Sequence, residues 1–305
     1  MADNLFPAAF VQQYSSNVEH LAARNKHIFA GKGLRLESCN AAVEYFDQVG
    51  SLRMHKITSR NADTVYDKQA HFRRRVACCP YGSAVIFDSA DKVRGIIDPN
   101  STTAVDQAAA INVCKDEVIV AAALGTAYRK EGDQLTDPDV AVELPADRFI
   151  PINYDGTAST TGPDTGLTLA KLIRLKSLIS RDDVTQGLKK YFVHNQAMLD
   201  QLLLNAQEIK STDYNAIKAL VNGEVSTFLG MEWIKYEGLP IENGVRTCFA
   251  YCDRAILFAT QKGAPVNSRI KELDAKWQSW EVKSLMDIGA TRMREDWMSV
   301  AYCAE

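Results

Sequence analysis

The chain has 305 residues, 46% of them hydrophobic and 24% charged, which excludes disordered, collagen-like and coiled-coil classes. Thirty-five Lys and Arg against thirty-eight Asp and Glu leave a net charge of -3, against the clearly basic balance of a dedicated nucleic-acid binder. At this length two lobes are expected rather than one. The longest mostly apolar run, Val118 to Ala127, is too short to cross a bilayer, so no membrane partner is expected. The opening Met1-Ala2-Asp3-Asn4 lacks a secretory pattern, and the seven cysteines are an odd number. Reduced thiols in a cytoplasm are therefore expected.

In chain order, Ala8 to Ile28 carries a helical apolar stripe (Phe10, Val11, Tyr14, Val18, Leu21, Ala22), ended by Gly31 and Gly33. Val43–Ile57 and Arg73–Phe87 look extended around the polar tract Thr58–Thr64, which predicts a long two-stranded excursion with a wet tip. An isolated ribbon is marginal in water, so one of this length wants a neighbour to lie on. Next, Asp98-Pro99-Asn100-Ser101 is a helix start, and Thr103–Leu124 is rich in Ala without Pro or Gly until Gly125. Ile111, Cys114, Val118, Ala121 and Ala122 are expected to share its apolar face, and the segment is read as a structural spine.

Glu131–Asp164 is broken by Pro138, Pro145, Pro151 and Pro163, so loop with short strands is expected. A helix opened by Thr165 or Thr168 is predicted over Leu167–Leu178, a strand at Lys190–Val193 and a helix at Gln196–Asn205. Thr212 can cap a helix over Asp213–Val221. Phe228–Tyr236 and Val245–Thr260 read as extended. The tail Trp280–Cys303 reads as strands broken near Asp287–Gly289 and near Glu295-Asp296. The class is α+β without internal repeats.

Charge is unevenly placed. Ser51–Arg75 holds seven bases (Arg53, Lys56, Arg60, Lys68, Arg73, Arg74, Arg75) and two acids, whereas Glu131–Asp164 holds eight acids and one base. Two solvated loops of opposite sign are the plain reading. Complementary surfaces meeting between subunits are the sharper one. DNA contact suits only the basic segment.

Catalytic signatures are thin. Gly31-Lys32-Gly33 is no phosphate loop, and there is no GxSxG elbow. Asp155-Gly156-Thr157 fits turn chemistry better than a protease triplet. Cys78-Cys79 are adjacent and Cys248 and Cys252 are four apart with no His nearby, so no metal, cofactor or catalytic residue is expected. An enzyme remains the rival reading, with residues assembled in space such as His194 with Asp200 or Cys248.

Several strings in order resemble tailed-bacteriophage major capsid proteins of the Hong Kong 97 type, as found among podophage and siphophage coats. They are His71-Phe72-Arg73-Arg74-Arg75-Val76; Ile97-Asp98-Pro99-Asn100-Ser101 leading through Asp116-Glu117-Val118-Ile119 to Ala123-Leu124-Gly125; Phe228-Leu229-Gly230-Met231-Glu232-Trp233-Ile234; and Gly289-Ala290-Thr291-Arg292-Met293-Arg294-Glu295-Asp296 with Val300. The resemblance runs over nearly the whole chain.

It implies an N-terminal arm (1–44), an extended loop (45–88), a peripheral domain with the long spine helix (89–149 and 277–305) and an axial domain (150–276). It implies pentamers and hexamers closing into an icosahedral shell around double-stranded DNA. Partners would be copies of the chain, a separate scaffolding protein, a portal, possible decoration proteins, and packaged DNA held non-specifically. The basic loop residues Arg53, Lys56, Arg60, Lys68, Arg73, Arg74 and Arg75 would meet the spine acids Asp106, Asp116 and Glu117 of an adjacent subunit. Some such shells cross-link a loop lysine to a neighbour's asparagine. Here Asn267 is the last asparagine, so the C-terminal strands cannot supply that partner. Encapsulin-type nanocompartments resemble the same fold and are the alternative within the class.

Overall fold

A computed structural model of the protein describes residues 26–61, 63–87, 99–131, 138–156, 162–207, 227–262, 266–273 and 279–305. The helices expected over Ala8–Ile28 and Asp213–Val221 lie almost wholly outside these residues. The chain divides into two compact units, one built around Pro80–Cys114 and Ala264–Asp287, the other from Ile28–Cys79, Lys115–Gly263 and Ile288–Glu305.

The longest element is helix α1, Pro99–Leu124, about 39 Å of rod at 1.5 Å per residue. Pro99 opens it, where a missing N–H costs nothing. Gly125 N closes its end on Ala121 O at 2.8 Å. Its buried positions from Val105 onward are Gln107, Ala109, Asp116, Ile119, Val120 and Ala123. The face expected from apolar spacing is therefore turned: Ile111, Cys114 and Val118 are only half-buried and Ala121 is exposed. Alanines hardly bias the orientation of such a helix, so its partners choose the face.

In the first unit, β4 (Cys79–Phe87) and β14 (Asn267–Leu273) both pair with β15 (Ser279–Arg292), β14 in antiparallel register from Asn267↔Leu285 to Leu273↔Ser279. The helix is tied there by Gln107, whose Nε2 donates to Val282 O at 2.9 Å and whose Oε1 accepts from Ser284 Oγ at 2.7 Å. β15 runs without the break expected near Asp287–Gly289. Gly289 is there because another backbone passes over it, whereas the break near Glu295 stands as a short 3-10 turn, Glu295–Trp297.

The second unit holds a parallel pair, β1 (Arg35–Cys39) on β13 (Ile256–Gln261), with β13 antiparallel to the end of β15. A four-stranded sheet has the order β2 (Val43–Val49), β3 (His71–Ala77), β5 (Ala127–Glu131), β6 (Asp139–Val142). The segment Arg73–Phe87 is thus two strands in two sheets, parted at Cys78. A larger sheet is ordered β7 (Phe149–Ile150), β16 (Met298–Ala304), β12 (Val245–Cys252), β8 (Lys190–His194), β10 (Met231–Lys235), β9 (Thr227–Phe228), with β11 (Ile241–Glu242) on β12.

Phe228–Tyr236 is a hairpin, not one strand, because Leu229 (φ 53°) and Gly230 (φ 74°) make the left-handed turn between β9 and β10. Asn243 and Gly244 do the same between β11 and β12. α2 (Leu169–Ile179) is capped by Thr168, the second of the two threonines expected, whose side chain accepts from Lys171 N at 3.3 Å. α3 (Gln196–Gln207) starts where Asn195 Oδ1 accepts from Met198 N at 3.0 Å.

The central strands carry one titratable group with a consequence for pH. His194 is buried, stacked 5.9 Å from Phe192 and tilted against Trp233 at 4.9 Å, with Nδ1 donating to Asn195 O at 2.9 Å. Burial lowers its pKa below the ordinary 6.5. The folded state resists a proton that the unfolded chain accepts, so stability present above pH 6.5 is lost as pH falls towards the lowered value. Urea midpoints of the soluble subunit at pH 7.5 and 5.5 are expected to differ less in His194→Phe than in the wild type.

Candidate subunit interface

β2 and β3 pair from Val43↔Ala77 to Val49↔His71 and form the base of the excursion. It is closed by Gly50 N donating to Ala70 O and Gln69 Nε2 to Gly50 O, both at 2.8 Å. Beyond that point 51–70 carries no ladder. The two arms meet at His55 Nε2 and Asp67, 2.9 Å apart, and turn at Arg60-Asn61, with Asn61 at φ 61°. Every described side chain of the excursion is exposed, including Leu52, Met54, Ile57, Val65 and Tyr66; Met54 is as open as in an extended chain, and Tyr66 is 88% exposed. Within the described subunit nothing covers these apolar groups.

The seven bases fall into two groups. Arg53, Lys56, Arg60 and Lys68 lie on the exposed excursion. Arg73, Arg74 and Arg75 lie in β3, where alternation sends them to opposite faces. Arg73 Nε meets Asp47 Oδ1 at 2.9 Å, and Arg75 Nη1 meets Asp139 Oδ2 at 3.0 Å. Arg74 points inward, 2% exposed, donating through Nη2 to Met293 O at 3.1 Å and to Glu295 Oε2 at 3.0 Å. It is an internal strut and cannot reach a neighbour.

The acids divide likewise. Asp106 and Glu117 are exposed on α1. Asp116 is fully buried, and its carboxylate accepts from Ile28 N at 3.2 Å and Phe29 N at 3.3 Å, so it too is internal. Three consecutive arginines look alike in a sequence; only the strand pairing separates them.

Two buried cations carry no local sequence signal. Arg292, fully buried, donates to Ala123 O (2.9 Å), Gly125 O (2.8 Å) and Val142 O (3.0 Å), satisfying carbonyls at the end of α1. Lys171 Nζ reaches four carbonyls: Ile152 and Thr165 at 2.7 Å, Tyr302 at 2.9 Å and Gly166 at 3.0 Å. Desolvation by burial lowers its pKa.

The residues of the rival enzyme reading are engaged elsewhere. His194 packs on rings, Asp200 accepts from Gln196 Nε2 at 2.8 Å, and Cys248 lies buried beside Cys303. Among the described residues no three His, Cys, Asp or Glu side chains are grouped to hold a metal, and no helix is long and apolar enough to cross a membrane.

The fold matches those of solved phage capsids and an encapsulin. The capsid protein of cyanophage P-SCSP1u superposes with a TM-score of 0.70 at 18% identity, over 96% of this chain and 93% of that one. That of Ralstonia phage GP4 gives 0.69 at 12%, over 96% and 94%. An encapsulin complex from Synechococcus elongatus gives 0.57 at 10%, over 95% and 92%. At such identities the likeness concerns the fold alone. No curated protein matches the sequence significantly. The model of the phage capsid protein family matches residues 6–305, and the chain belongs to that family. It is a major capsid protein, a structural subunit of the virion shell.

Proposed function

We propose that the chain assembles into pentamers and hexamers that close an icosahedral shell around a double-stranded DNA genome, and that the excursion of one subunit lies over the next. The observation that carries this reading is the stretch 51–70, with five large apolar side chains and four bases held out by a ribbon that has no ladder of its own. Burying each apolar side chain contributes about 1.5–3 kcal/mol, whereas an exposed ion pair contributes about 0–1 kcal/mol. Apolar cover therefore supplies most of the adhesion, and Arg53, Lys56, Arg60 and Lys68 set register against Asp106 and Glu117. The net charge near zero suits a wall that holds DNA without gripping it. The remaining partners would be a separate scaffolding protein, a portal and decoration proteins.

Negative-stain microscopy with light scattering tests this. Closed shells of megadalton mass, or capsomer rings of five or six times the 33.8 kDa chain, are expected. A 34 kDa monomer that persists with the phage's scaffolding protein present would overturn it.

A further inference from the structure

The first unit contains a half-open apolar pocket of about 180 Å³. β4 supplies Tyr81 and Gly82, α1 supplies Ala110, Ile111 and Cys114, and β15 supplies Met286. A dry cavity of about 150 Å³ takes a benzene-sized group, so this one has room for a single unbranched apolar side chain. Asp106 precedes Ala110 by one turn and Glu117 follows Cys114 by three residues, so exposed acids flank the pocket at both ends along the helix. They lie roughly 4.5–6 Å along the axis from its nearest lining residues.

The excursion offers the complementary pattern. Met54 is its most exposed apolar side chain, and a thioether adapts to an irregular recess. Arg53 adjoins it, and Lys56 follows two residues on, about 7 Å away in extended chain. Because acids stand on both sides of the pocket, either chain direction brings Lys56 within reach of one. We propose that this pocket is the socket for Met54 of a second copy, with Lys56 of that copy on Glu117 or Asp106. The assignment rests on the reading that the excursion overlies a neighbour, and it names the point of contact.

Cys114 lines the pocket and provides the test. In shells of Met54→Cys, a thiol oxidant such as diamide is expected to join the introduced thiol of each subunit to Cys114 of the next. A disulfide forms only where Cβ atoms approach to about 4 Å. The contact is head-to-tail, so denaturing non-reducing gels should show a ladder of multimers at least tenfold stronger than in Met54→Cys/Cys114→Ser. If Met54→Cys alone fails to close, co-assembly with wild-type chains provides the shells.

Intact shells without the ladder, or a ladder that survives Cys114→Ser through the exposed Cys79, would overturn the socket while leaving the shell function standing. Absence of shells from the wild-type chain would instead overturn the underlying reading. A second variant, Cys114→Phe, fills the pocket from the helix. It is expected to leave the subunit folded by circular dichroism and to cut shell yield at least tenfold, and unchanged yield would also overturn the socket.

Discussion

Gly289→Ala is expected to cost the subunit on the order of 3 kcal/mol, the upper end for forcing an atom into a closed space. Gly289 pairs with Ala259 in the β13–β15 ladder, and the Ala77–Cys78 backbone passes over its face. An added Cβ would overlap the Ala77 carbonyl oxygen, lie 2.9 Å from Ala77 C and 3.2 Å from Cys78 Cα. These are backbone atoms, held by the ladder of β3 and by Cys78 N donating to Ala42 O at 2.8 Å, so nothing flexible can yield. The cluster around them (Cys39, Val76, Cys78, Leu257, Ala259, Met293) would have to shift as a whole. Urea denaturation of the soluble subunit reads the effect. A midpoint within error of wild type would show that β3 can move away.

Lys171→Met should cost a similar amount for the opposite reason: it removes a polar group and leaves its partners. The ammonium joins the loop carbonyls of Ile152, Thr165 and Gly166 to Tyr302 of β16. Ile152 O and Thr165 O keep other donors, Thr165 N and Ala304 N respectively. Gly166 O and Tyr302 O lose the ammonium, at about 1–3 kcal/mol for each acceptor left unsatisfied. Relief from burying a charge offsets part of this, and about 3 kcal/mol remains. A fall in Tm of roughly 6 °C would register it by scanning calorimetry. An unchanged Tm would mean that water replaces the ammonium without loss.

Where the chain obeys local rules, its sequence is legible. Pro99 opens α1, Thr168 caps α2, and the described part of the Pro-broken stretch through Pro138 and Pro145 holds only short strands and a 3-10 turn, each from interactions within a few residues. The turn of the excursion is legible too, since it falls within polar Thr58–Thr64, but the expected two-stranded ladder stops at Val49 and His71. What escaped was set by contacts distant in sequence. The buried face of α1 turned because Asp116 answers Ile28 and Phe29. The expected break at Asp287–Gly289 vanished because its glycine serves a crossing strand rather than a turn. Arg74 and its neighbours share one composition but not one environment, and Arg292 is recognised only once α1 ends beside it.

The excursion has a bearing on solubility before any shell exists. Its five large apolar side chains would make an adhesive patch if gathered on one face of a compact body. Strung along a thin ribbon, they are interrupted by Arg53, Lys56, Arg60 and Lys68 at intervals of three to eight residues. Charged residues set among hydrophobic ones act as gatekeepers against indiscriminate strand pairing and clumping. With four bases against Asp63 and Asp67 the stretch keeps a net positive charge, which opposes pairing between two such ribbons on free subunits.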